Sequence, residues 1–371
     1  MNPYPSLDIG FWFPRPERGA MLADELRRLG HQVTIYHSLP IPGDQAWVRH
    51  VKYGPIAGMR AILKLNHDVF YTPHSFIPVL QLLLNKWVRS KPYVYTLNGA
   101  IWSYYNDRRS PISFFKTSAA LYEGLLRAAV RGAGVVVANS GFLAAQLATR
   151  FPAYAQKITP IYNGIAYDAI DTAVKDLTAW GSGEPRLLSV LTLNFEGKAR
   201  GALLLIDAFD EILRCYPNAT YVVAAKSEKP EWVALFRAHL QRLVGADRIR
   251  IELNHSDVPS LLAAADLFLY ATAEDSSDSL PRALLEAQAA GVPIVTTDTT
   301  GCTEVVSNGQ TGRAVAADAQ SITAAALDLL SDPAEAQRMA VLGAASIRGR
   351  FNWQTMAGAY AEAFSRAVTN R

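Results

Sequence analysis

Short, continuously apolar runs alternate with helix-periodic stretches along this chain, and the alternation restarts once near the middle. The first half offers LDIGFWF, QVTIYHS, HDVFYT, KPYVYTLNG, GVVVANS and KITPIYNG. Apolar continuity, as opposed to strict alternation, marks strands buried on both faces, as in a parallel sheet covered by helices. Between the first two runs, GAMLADELRRLG sets Met21, Leu22, Leu26 and Leu29 on one helical face, and Gly30 ends it. Residues 166–186, AYDAIDTAVKDLTAWGSGEPR, break the rhythm, with GSGEP as a turn signal. The second half resumes with RLLSVLTL, ATYVVAAK, RIRIELN, DLFLYA and VPIVTTD, separated by helical stretches such as GALLLIDAFDEILRCYP and PRALLEAQAAG. The expected architecture is α/β: two Rossmann-like parallel-sheet domains facing across a cleft, over residues 1–170 and 171–350. A last helix is expected over 351–371. In open sheets of this kind, ligands lie beyond the carboxyl ends of the strands.

Composition narrows the class. Half of the 371 residues are apolar and 19% are charged, enough for real cores and too little charge for a disordered chain. The net charge of +3 is unevenly spread: residues 1–170 carry 18 Lys and Arg against 9 Asp and Glu. That basic half suits an anionic membrane surface or a phosphorylated substrate. No nucleic-acid recognition motif accompanies it, so a nucleic-acid partner is not expected. Cys215 and Cys302 fit neither a metal cluster nor a disulfide framework, so a reducing, cytoplasmic setting is the simpler reading, the alternative being that the two cysteines pair. The start, MNPYPSLDIGFWFPRPERG, has no basic head followed by an apolar core. The uncharged stretch from Val69 to Asn85 is too short and too polar to span a bilayer. No HxH, HExxH or GxSxG spacing is present, EDSSD lacks the calcium-loop pattern, and the early GxGxxG of a dehydrogenase is missing.

Candidate site residues cluster after strands. In DSLPRALLEAQAAGVP, Asp278 precedes a helix that Ser279 would cap and Pro281 would open, with Gly291 and Pro293 closing it. Glu286 lies four residues past Arg282. Two readings fit: an ordinary i,i+4 ion pair on a helix, or carboxylates beside a helix start that offers N–H groups to a ligand. SVLTLNFEGKARG places Lys198 and Arg200 around a turn with Gly197 and Gly201, either a diphosphate clamp or a solvated basic loop. In TTGCTEVVSNG, Thr300, Gly301 and Cys302 can present N–H groups to an anion, or Thr300 or Gly301 simply caps a helix with Glu304. In the first half, Arg18 and Gly19 follow the first strand, His74 follows YTP, and Asn98-Gly99 follows YTL. Each stands where doubly wound folds bring ligands, and each is equally a surface or turn residue.

Together these pieces resemble the retaining GT-B glycosyltransferases of family 4, also called glycosyl transferases group 1. The resemblance covers nearly the whole chain and is strongest over 255–312, through DVPSLLAAADLFLYAT, DSLPRALLEAQAAGVPIVTTDTTGCTEVV and SNGQTGRAV. LADELRRLGHQVTIY, VVVANSGF and ITPIYNGI look like family landmarks too. It implies transfer of a hexose from a nucleoside diphosphate sugar to a hydroxyl with retention of configuration, without metal or resident cofactor. The acceptor-side domain is then 1–170, the donor domain 171–350, and the last helix, 351–371, is expected to cross back to the first domain as in relatives.

The family's paired glutamates map onto Asp278, beside the donor sugar, and Glu286, on the ribose. Its basic residue before glycine maps onto Arg200, while its other phosphate-binding Arg falls at Thr192, with Lys198 as the substitute. Its His-Gly step appears as Asn98-Gly99, which leaves His74 as the imidazole candidate. Gly19, Asn254 and the backbone of Thr300–Cys302 complete the implied donor contacts, and Arg18 faces the acceptor side.

Catalysis would be electrostatic stabilisation of the leaving diphosphate. For the acceptor, FIPVLQLLLNKWVRSKP and RRSPISFFKTSAALYEGLLRAAVR combine bulk and charge. Trp87, Phe114 and Phe115 can sit at an interface above Lys86, Arg89, Arg108, Arg109 and Lys116, which favours a lipid-linked or polysaccharide glycan on the inner face of a membrane. The alternatives are that Leu82–Leu84 and Trp87 are core, that the acceptor is a soluble small molecule, or that the changes at Asp278, Thr192 and Asn98 mark a non-catalytic binding subunit.

Overall fold

The alternation resolves into two all-parallel sheets. The computed structural model describes residues 4–38, 46–52, 54–73, 76–99, 119–193, 196–227, 230–243, 245–273 and 278–370. Two compact units emerge, Met1–Gly164 with Phe351–Arg371, and Ile165–Arg350.

The first unit runs β1 (Asp8–Trp12), α1 (Pro16–Arg28), β2 (Gln32–His37), β3 (Val48–His50), α2 (Pro55–Ile62), β4 (Val69–Pro73), α3 (Phe76–Arg89), β5 (Tyr93–Leu97), α4 (Ala119–Gly132), β6 (Val135–Ala138), α5 (Gly141–Arg150) and β7 (Ile158–Pro160). Its strand order is β3-β2-β1-β4-β5-β6-β7. The second unit runs α6 (Tyr167–Asp171), β8 (Arg186–Thr192), α7 (Glu196–Cys215), β9 (Thr220–Lys226), α8 (Pro230–Leu240), β10 (Ile249–Leu253), α9 (Val258–Ala264), β11 (Leu267–Tyr270), α10 (Arg282–Ala289), β12 (Ile294–Thr297), α11 (Cys302–Val305), β13 (Arg313–Val315), α12 (Ala319–Ser331) and α13 (Pro333–Arg348). Its order is β10-β9-β8-β11-β12-β13. The last helix, α14 (Trp353–Thr369), belongs to the first unit.

Period-two side-chain alternation builds a core on each face of the first sheet. Ile9, Phe11, Val33, Ile35, Val69 and Tyr71 pack beneath α1 and α14. Trp12, Phe70, Tyr93, Tyr95 and Val136 pack on the opposite face. In α14, Met356, Ala357, Tyr360, Ala361, Phe364 and Ala367 form a stripe at helical spacing, and all are buried. Helix starts are fixed by side-chain caps: Ser140, Asp257, Asp318, Asp332 and Asn352 each accept a backbone N–H in the first turn.

Some expectations shift. α1 begins at Pro16, so Arg18 and Gly19 are in its first turn and no longer in a loop. Met21 is 37% exposed, and the buried face is Gly19, Leu22, Ala23 and Leu26. β3 and β13, three residues each, lack the length for a visible pattern.

Candidate active site

In the second unit, β8 lies between β9 and β11, so the chain leaves β8 in two directions across the sheet. This is the switch point at which such sheets open a crevice. Thr192 ends β8 and stands level with Lys226 of β9. The segment EGKARG, expected as a loop, forms the first turns of α7. Its glycines are there for packing. A Cβ on Gly201 would lie 2.2 Å from the Ala271 carbonyl oxygen, and Ala273 N–H donates to Gly197 O at 3.3 Å. The start of α7 is thereby pressed against the end of β11.

That approach brings two sequence-predicted residues together. Lys198 Nζ is 3.0 Å from Asp278 Oδ2, with both side chains largely shielded at 20% and 12% exposure. The same carboxylate oxygen accepts the Tyr270 hydroxyl at 2.5 Å. A partly shielded pair of this kind attracts more strongly than an exposed one. Burial, followed by the neighbouring Asp278 charge, pushes the Tyr270 hydroxyl well above its ordinary range, so it stays a donor.

A hydroxyl cluster lines the next strand ends. Thr272 N–H donates to Thr297 Oγ1 at 3.2 Å, and the Thr299 hydroxyl lies 2.8 Å from those of both Thr272 and Thr297. Thr300 Oγ1 is 3.3 Å from Thr272 Oγ1 and 3.8 Å from Cys302 Sγ. Thr300 has φ 53°, a costly conformation for a β-branched residue. Burial pushes the fully buried Cys302 thiol up to about 11, against a lowering by Thr296 and with a smaller push from the Asp278 charge, so it stays neutral. Gly301 is held tightly, since a Cβ there would lie 1.8 Å from Ser279 O.

Other expected roles change. α10 begins at Arg282 with Pro281 at its cap position, and Ser279 is buried instead of capping it. The Ser279 reading failed because the proline two residues on delays the helix. α11 is one turn long, and its cap is Gly301, which has no side chain to bond the first turn. Glu286 accepts from Arg282 Nε at 2.7 Å, the ordinary helix pair. Arg200 is exposed on α7, two residues beyond Lys198. Asn254, with φ 56°, follows β10, two strands from β8 and so about 10 Å from that strand.

In the first unit, Arg18 and Gly19 open α1 beyond the end of β1, and Asn98-Gly99 follows β5. β4 lies between those two strands. Arg18 acts on the buried Tyr71 and Tyr360 hydroxyls: burial raises both, and the Arg18 charge pulls them partly back. The Asn98 carbonyl accepts Asn139 Nδ2 at 3.5 Å. His74, Phe114, Phe115, Arg108, Arg109 and Lys116 lie outside the described residues.

Sequence reasoning missed Tyr270 and the hydroxyls of Thr272, Thr297 and Thr299. The available signal was a set of polar tips at the carboxyl ends of otherwise apolar strands, LFLYAT and PIVTTDTT.

Comparison with known proteins agrees with this fold. The sequence model described as "Glycosyltransferase Family 4" matches residues 20–168, and that described as "Glycosyl transferases group 1" matches residues 184–332. A glycogen synthase of Mycobacterium tuberculosis is 33% identical over 187 residues, 50% of this chain and 44% of that protein. A phosphatidyl-myo-inositol mannosyltransferase of Mycobacterium leprae is 24% identical over 213 residues, 57% of this chain and 54% of that protein. These matches span about half the length of the curated relatives. The Anabaena protein HepE, solved with UDP and glucose, superposes with a TM-score of 0.72 at 19% identity, covering 96% of this chain and 98% of that one, a likeness of fold. With its two halves matched by these two models and both parallel sheets in place, the chain belongs to the family 4-like glycosyltransferases of GT-B fold.

Proposed function

We propose that this chain is a retaining hexosyltransferase whose donor is a nucleoside diphosphate sugar and whose acceptor is the hydroxyl of a lipid-linked or polysaccharide glycan. The observation that carries the donor side is the Lys198–Asp278–Tyr270 cluster at the end of β11, beside the start of α7. On donor binding, Lys198 and the first-turn N–H groups of α7 meet the diphosphate and stabilise charge that grows on its leaving oxygen. Asp278, fixed by Tyr270, faces the sugar. Arg200 adds a second cation, Thr300–Cys302 supply backbone donors, and Glu286 exchanges Arg282 for ribose hydroxyls. The acceptor approaches on the front face, and the leaving oxygen helps take its proton. No metal or resident cofactor takes part.

The relatives support a glycan or lipid acceptor, one being named for a polymer and the other for a phosphatidylinositol substrate. Trp87 is 84% exposed, so it is not core, and it can sit at a membrane surface as such aromatics do. Among the described residues no helix is long and apolar enough to cross a membrane.

A donor screen tests the reading. UDP-, GDP-, ADP- and TDP-hexoses are added with excess EDTA, and thermal shift and donor breakdown by mass spectrometry are followed. One donor should stabilise the protein and release its nucleoside diphosphate slowly without an acceptor. Stabilisation by none, with no release when glycan acceptors are supplied, rejects it.

A further inference from the structure

In the first unit, the amino ends of β6 and β7 lie at the edge opposite to Arg18 and Asn98. A cavity of about 200 Å³ opens there, lined by Lys86, Ala133, Gly134, Gln156, Lys157, Arg366 and Asn370. Three of these are cations and none is a carboxylate. They come from three separate places: the last turn of α3, the residue before β7, and the last turn of α14. Ala367 packs directly on Gly134, which seats Arg366 beside Lys157.

Cations at helix ends often serve only to meet terminal carbonyls, and part of this set does so. Lys157 Nζ donates to Arg131 O at 3.0 Å and to Ala133 O at 3.1 Å. Arg366 donates to Thr159 Oγ1 at 3.1 Å and to Gln156 O at 3.4 Å. That use is incomplete. Lysine has three donors and arginine five, so among the described residues one on Lys157 and three on Arg366 remain. The side chain of the half-buried Lys86 makes no hydrogen bond or ion pair among the described residues. Among the described residues that line the cavity, the three cations stand together without a carboxylate. Burial lowers the affinity of Lys157 for its proton, and the nearby Lys86 charge lowers it further.

We propose that this cavity is a phosphate-binding site, formed by Lys86, Lys157 and Arg366, that takes a phosphate monoester group. The chemistry is that of several charge-assisted donors converging on one compact anion. It stands independently of the donor site proposed for the second unit. The group can come from a free phosphorylated metabolite or from an anionic lipid head, and the exposed Trp87 (84%) and Val88 (56%) follow Lys86 in the last turn of α3.

The test is a calorimetric titration of the full chain with inorganic phosphate, repeated on Lys86→Gln, Lys86→Glu and Lys198→Met. Saturable binding should persist in Lys198→Met, which separates it from any phosphate bound at the donor site. It should weaken at least about tenfold in Lys86→Gln and disappear in Lys86→Glu, as expected when a charged hydrogen-bond partner is removed. Because Lys86 holds no structural bond, both variants should melt as the parent does. A second arm uses co-sedimentation with phosphatidylcholine vesicles doped with phosphatidic acid. Vesicle binding that free phosphate competes away identifies a lipid head as the source, and phosphate binding without vesicle binding identifies a soluble ligand. Absence of saturable phosphate binding, or binding equal in the parent and Lys86→Glu, overturns the proposal.

Discussion

Asp278 depends on its neighbours for direction. Its Oδ2 receives an ammonium and a phenol at once, which fixes the carboxylate before any substrate arrives. Tyr270→Phe removes one of those donors and leaves the ring packing. The expected outcome is a stability loss of about 1–2 kcal/mol in denaturant titration, with turnover reduced more than donor affinity. Cys302 gives a second residue-scale prediction. Burial pushes its thiol up to about 11 in the folded chain from an ordinary value of 9.0. Between those values the unfolded chain gives up a proton that the folded chain keeps, so stability must fall as pH rises. Below pH ~9 the contribution is complete. Denaturation midpoints measured from pH ~8 to pH ~11 should fall less steeply in Cys302→Ala than in the parent. At neutral pH, iodoacetamide should label the exposed Cys215 and leave the buried Cys302 unmodified in the native protein.

At the scale of elements, helix starts are fixed where a capping side chain precedes a periodic run, as Asp318 and Asn352 do. They were misread where glycine carried two meanings. Gly197 and Gly201 look like turn residues in sequence, yet Gly201 lies inside a 20-residue helix because only a hydrogen fits against the end of β11. No pattern within one segment reveals that contact, since its partner, Ala271, is 70 residues away. Gly201→Ala should therefore cost more than a helix-propensity gain can return, about 1–3 kcal/mol from overpacking. It should also weaken donor binding by displacing Lys198, and a melting curve paired with a donor titration reads both effects. In α14, Phe364 packs against Phe11 and Tyr71 with ring centroids 6.3 Å from each. Phe364→Ala should destabilise by about 3–5 kcal/mol, which thermal unfolding would show as a large drop in Tm.

For the whole molecule, the sequence carried the two parallel sheets because strands buried on both faces leave an uninterrupted apolar record. It carried Asp278 and Lys198 as candidates because both follow strand ends. It could not carry their pairing, which depends on how closely α7 approaches β11. Nor could it separate Glu286 as a ribose ligand from Glu286 as the partner of Arg282, since one spacing serves both. The two family models divide the chain as its own contacts do, one matching within the first unit almost throughout and the other within the second.

The claim at the centre is that the Lys198–Asp278 cluster receives the donor diphosphate. The most direct measurement is calorimetric binding of the preferred nucleoside diphosphate to the parent and to Lys198→Met, with melting curves to show that both are folded. Loss of a charged contact to phosphate predicts binding at least about tenfold weaker in the variant. Equal affinity in two equally folded proteins would contradict it and would put the diphosphate elsewhere.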